Sequence, residues 1–181
     1  MVTYVLLAVV GVLIVVGAGI LVLVSLSAGD TGPRRFALSE PDVAVFFDES
    51  AFSVTASVEV AADPAAVWSQ VADGPTVSLG PIFRGPEVRG DQRTFRGLVS
   101  ANSRVVEMSA QGGLVAVGTG ISIPFVVGAF AERVAVSAGS GLGSRIEYTF
   151  ALEPRMFRFI PLRWAAVFVR PVMSAAIKRA F

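Results

Sequence analysis

Between Val2 and Ala28 the chain carries no charged side chain, and Tyr4 to Leu26 is an unbroken run dominated by Val, Leu, Ile, Ala and Gly. As a helix rising 1.5 Å per residue, that run reaches about 34 Å, enough to cross a hydrocarbon core of about 30 Å. A cleaved signal peptide has a basic leading stretch and an apolar core of about 7 to 15 residues; this run begins uncharged and is longer. The sequence therefore predicts a transmembrane helix within residues 1–28 and a single-pass protein of the cell membrane. Arg34 and Arg35 follow the run and no basic side chain precedes it, so the positive-inside tendency places the rest of the chain in the cytoplasm. Residues 29–49 follow, largely within "SAGDTGPRRFALSEPD", and their Gly, Pro, Ser and charge read as a linker. Residues 50–181 have the length of one ordinary domain.

The chemistry open to that domain is narrow, because the 181 residues include no histidine and no cysteine. Disulfides, thiolate nucleophiles, Cys/His zinc sites and histidine bases are excluded together, and neither a metal nor a cofactor is expected. A net charge of +1 gives no bulk attraction to nucleic acid, so that partner is not expected either. The charge is uneven, however: after Glu153 come six cations and no acid, which leaves the preceding part net acidic.

Strand signals dominate the domain. In "SAFSVTASVEVAAD" Phe52, Val54, Ala56, Val58 and Val60 alternate with Ser53, Thr55, Ser57 and Glu59, the pattern of a half-buried strand. "DPAAVWSQVAD" then offers Asp63 as N-cap and Pro64 at the first helical position, with Val67, Trp68 and Val71 at helical spacing. "DGPTVSLGPIFRGPEVRGD" reads as a loop with a helical turn near Val77 to Phe83. "RTFRGLVS", "SRVVEMSA", "GLVAVGTG", "FAERVAVSA" and "SRIEYTFALEP" follow at the spacing of an antiparallel meander. "ISIPFVVGAF" is too short to cross a bilayer and reads as a cavity lid, a loop dipping into lipid, or a buried connection. The glycine-rich pieces lack a P-loop lysine and read as turns.

The closing stretch, "ALEPRMFRFIPLRWAAVFVRPVMSAAIKRAF", is apolar enough to suggest a second span. A span would bury Arg163 and Arg170 near its middle, at about 2.5 to 3.5 kcal/mol each. As an amphipathic helix over Phe159 to Phe181 it holds Arg163, Arg170 and Lys178, in line with Arg155, on one stripe, with Trp164, Phe168, Val172 and Ala175 on the other side. The expectation is a helix, bent at Pro171, whose aromatic side packs on the sheet. The basic stripe is solvated or meets anionic headgroups, the contact suggested for Arg155, Arg163, Arg170 and Lys178.

This order of elements resembles the SRPBCC superfamily, which includes START domains, birch-pollen-allergen-like proteins and the polyketide cyclase/dehydrase group. "VEVAADPAAVWSQVAD", "FAERVAVSAGSGLGSRIEYTFALEP" and "PLRWAAVFVRPVMSAAIKRAF" carry the resemblance, which covers Phe52 to Phe181. It implies an α+β helix-grip fold, a curved antiparallel sheet wrapped around a long C-terminal helix, with an apolar cavity between them. It also implies a hydrophobic small molecule or lipid as ligand. Candidate ligand-binding residues are Phe95, Met108, Phe130, Glu132, Tyr148, Trp164 and Phe168. Glu132 shares the strand parity of Phe130, Val134 and Val136 and so points inward, whereas Glu147 falls opposite Ile146 and Tyr148. Two other readings stand beside binding or transport. One is a cyclase or dehydratase using Glu132 and Tyr148; the other is a membrane scaffold with a filled core. No catalytic spacing is recognisable.

Overall fold

The computed structural model describes residues 19, 28–29, 32–33, 36–78, 83–97, 99–110, 112–123, 126–141, 143–156 and 162–181. The span expected over Tyr4 to Leu26 therefore lies outside the described residues, Gly19 apart, and among the described residues no helix is long and apolar enough to cross a membrane.

Nine strands form one antiparallel sheet: β1 (Phe36–Ala37), β2 (Phe52–Val60), β3 (Val77–Ser78), β4 (Phe83–Arg89), β5 (Gln92–Gly97), β6 (Ala101–Ser109), β7 (Gly113–Ile121), β8 (Val127–Ala138) and β9 (Ser144–Pro154). Their order is β2-β9-β8-β7-β6-β5-β4-β3, with β1 added beside the end of β7. The sheet curls into a half-barrel. Alternation fixes its faces: along β2, Phe52, Val54, Ala56 and Val58 are buried while Ser57 and Glu59 are exposed. A slip of one residue would turn all four apolar side chains to water, so the register is tightly specified.

Two helices lie on the inner face. In α2 (Pro64–Asp73) the Asp63 carboxylate accepts from the amides of Ala65 and Ala66, and Pro64 opens the first turn. α3 (Ala166–Lys178) follows a 3₁₀ turn at Leu162–Ala165 and contains Pro171. Val67 and Val71 of α2 and Ala176 and Ile177 of α3 meet Ala56, Val58, Leu114, Val134, Val136 and Ile146, a closed core in which Leu114 and Ile177 are each 1% exposed.

Several expectations are corrected. No helical turn forms at Val77–Ser78, which is strand, and Phe83–Arg89 pairs with β5 as a further strand. Its Gly85-Pro86 falls where the register shifts between Arg84 and Glu87, a place where a residue without an N–H is tolerated in a sheet. The second part of the expected linker belongs to the fold. β1 pairs Phe36 with Ile121, and α1 (Val43–Glu49) packs Phe47 on the outer face against Val115, Val117, Ala131 and Ala151. Arg133 lies over the Phe47 ring at 4.1 Å.

The closing helix turns a different side to the sheet from the one its aromatics suggest. Trp164 and Phe168 are 60% and 68% exposed and stack edge to face on each other at 6.2 Å. Phe168 lies one residue, about 100°, from Val169, so it falls at the rim of the inward side of α3 rather than on it. Val169, Val172, Met173 and Ala176 are the residues that look inward.

Candidate ligand cavity

Beneath the first half of α3 the inner face is hollow. A cavity of about 360 Å³ separates the helix from the sheet, within the usual range of small-molecule pockets, about 300 to 1,000 Å³. Phe95 of β5, Ala101 of β6, Ile121 of β7, Val127 and Phe130 of β8, and Phe150 and Leu152 of β9 supply the sheet side; Val169, Val172, Met173 and Ala176 supply the helix side. Phe130 lies across β7 at Gly118, where any Cβ would collide with its ring, and stacks tilted on Phe150 at 5.8 Å. Ile123, just after β7, also faces the hollow.

Glu132 and Tyr148 are the two polar side chains among the described lining residues. The Tyr148 hydroxyl donates to Glu132 Oε2 at 2.6 Å. Glu132 Oε1 accepts from Ser103 Oγ at 3.1 Å and from Arg93 Nε at 3.2 Å, and Arg93 Nη1 donates to the Val71 carbonyl at 3.1 Å. Arg93 is 0% exposed and Glu132 1%. Strand register explains how residues so distant in sequence converge. Arg93 lies opposite Ser103, Ser103 opposite Gly118, and Glu132 opposite Ala116. Only Gly118 and Ala116 of β7 stand between Ser103 and Glu132, so the long Glu132 side chain reaches over the intervening strand.

The electrostatics follow from burial. A lone carboxylate here would be strongly penalised, but the guanidinium offsets its charge and three donors satisfy its oxygens. Burial, with the Glu132 carboxylate alongside, pushes the Tyr148 phenol well above its ordinary range, so it stays protonated and keeps donating. The cavity thus meets a neutralised ion pair, a phenol oxygen with free acceptor capacity and, from the other described lining residues, apolar side chains. Among the described residues no group of three His, Cys, Asp or Glu side chains is placed to hold a metal.

Of the seven residues nominated by the sequence, Phe95, Phe130, Glu132 and Tyr148 line the cavity. Met108 does not: a register shift at Val105/Glu107 and its place near the β6–β7 turn leave it 57% exposed, at the other end of the sheet. Trp164 and Phe168 are likewise outside, for the reason given above. Glu107 and Glu147 are exposed. Arg93 and Ser103 are not nominated, yet both complete the network. Arg93 shares the parity of Phe95, and that signal was present in "RTF": an arginine on a buried face requires a carboxylate partner.

Residues 51–181 match the family described as "Polyketide cyclase / dehydrase and lipid transport". The chain belongs to this family. The fold has solved counterparts of low sequence identity. A protein from Bacillus thuringiensis is 17% identical with a TM-score of 0.53, the alignment covering 71% of this chain and 95% of that one. A START superfamily protein from Mycobacterium smegmatis is 11% identical with a TM-score of 0.51, over 71% and 99% of the two chains. At such identities the likeness concerns the fold alone. No curated protein sequence matches the chain.

Proposed function

We propose that this protein binds and carries a hydrophobic small molecule or lipid in the cavity between sheet and α3, while residues 4–26 anchor it in the cell membrane with the domain on the cytoplasmic side. One observation carries the reading: a hollow of about 360 Å³ in which Glu132 and Tyr148 are the two polar side chains among the described lining residues. An apolar ligand gains about 25 cal/mol for each Å² it removes from water. With Arg93 paired to Glu132 the polar end of the cavity carries no net charge and can accept one hydrogen bond, which suits a ligand neutral at its buried end. Native mass spectrometry and solvent extraction of the purified chain test this. The expected result is a co-purifying apolar molecule that Val172→Trp displaces; an empty protein that also fails to take up a fluorescent apolar probe would overturn it.

The acid–base alternative is less well supported. Glu132 faces the cavity, but its oxygens already hold three donors. To take a proton from a substrate it would have to give one of them up. A filled-core scaffold is the reading that the hollow least supports.

A further inference from the structure

The cavity residues Val169 and Val172 are themselves 37% and 51% exposed, so the hollow opens to solvent along the first half of α3. The surface beside that opening is apolar: Val167 is 73% exposed, next to the exposed, stacked Trp164 and Phe168. Contiguous apolar surface of this kind marks an interaction site. Arg163 and Arg170 flank it, exposed and without an ion pair among the described residues; Arg163 reaches only the Asp48 carbonyl, at 3.4 Å.

We infer that this face, Arg163 to Val172, docks on an anionic lipid bilayer and that the cavity exchanges its cargo there. Three observations choose a bilayer over a protein. First, all charges after Glu153 are positive, complementary to anionic headgroups, which are worth about a fivefold gain in affinity per cation close to the surface. Second, a tryptophan beside arginines and aliphatic side chains suits the boundary between headgroups and acyl chains, where indole rings concentrate. Third, the chain from the apolar run enters the fold at this end: Phe36 pairs with Ile121, a lining residue. From Leu26 to Phe36 the chain extends at most about 35 Å, so a bilayer holding the run keeps the opening within reach. The inference rests on the cavity carrying an apolar ligand, since docking then spares that ligand the passage through water.

The test uses the full chain with Trp68→Phe, which leaves Trp164 as the sole tryptophan, in nanodiscs of phosphatidylcholine alone or with phosphatidylglycerol, the lipids brominated in their acyl chains. Expected is quenching of Trp164 emission in the anionic discs, weaker in the zwitterionic ones. In Arg163→Ala/Arg170→Ala the ratio of docked to free domain should fall about 30-fold, and transfer of an apolar probe from disc to cavity should slow with it. Trp164 emission that ignores bromine in both discs overturns the inference, as does protection of Trp164 that follows protein concentration rather than lipid, which would identify a second copy as the occupant. Quenching without probe uptake would instead retain the docking surface and remove the carrier reading.

Discussion

At one end of the inner face, Leu114, Val136 and Ile146 meet Val67 and Val71 of α2 and Ile177 of α3. At the other, Phe95, Ile121 and Phe130 face the first half of the same α3 across about 360 Å³. Both ends have the strand alternation that builds a core, so strand pattern does not separate them. The difference is the covering: α2 inserts two valines at the first end, whereas at the second the aromatic side chains, Phe168 of α3 and Trp164 of the 3₁₀ turn before it, are exposed. Packing energy is therefore concentrated where α2 lies rather than at the hollow. Glu132 and Tyr148 mark the boundary between the two.

That contrast can be broken most severely at the boundary. Glu132→Ala leaves a buried, unpaired guanidinium and should cost about 3 to 5 kcal/mol in urea denaturation, whereas Arg93→Met/Glu132→Leu recovers most of the loss. A single variant as stable as the wild type would show that the ion pair is not structural. Within the filled end, Leu114→Ala should cost about 2 to 5 kcal/mol. Tyr148→Phe sharpens the boundary by its pH dependence. The folded phenol titrates well above the ordinary value, the unfolded one near 10, so the wild-type contribution is complete below pH 10 and declines as pH rises beyond it. The variant should lose that alkaline decline of about one proton, and identical slopes would argue against the buried phenol. Within the hollow, Val172→Ala should cost under about 1 kcal/mol, because its side chain is half exposed and leaves no sealed void. If Leu114→Ala and Val172→Ala cost the same, the division into filled and hollow ends fails.

Alternation made β2, β8 and β9 legible, and the Asp63-Pro64 pair made α2 legible, because each signal is local. Glu132 and Tyr148 were readable for the same reason. Arg93 was missed because its meaning depends on a partner 39 positions away, reached across β7 only because Ala116 and Gly118 are small. Strand β4 was hidden by Gly85 and Pro86, residues that mark loops unless a bulge takes them in. The wrong face of α3 came from reading aromatic character as burial. The i, i+3, i+4, i+7 series Val169, Val172, Met173, Ala176 was the better guide, and the aromatics belong to the outside.

Pro171 falls between the two halves of α3 and has no N–H, so the Val167 carbonyl lacks its partner four residues on. The turns ahead of it are held by fewer bonds and little burial, while Met173 to Ile177 are fastened to the sheet. Deuterium should therefore enter the amides of residues 166–170, the stretch that borders the mouth of the hollow, well before those of 173–177.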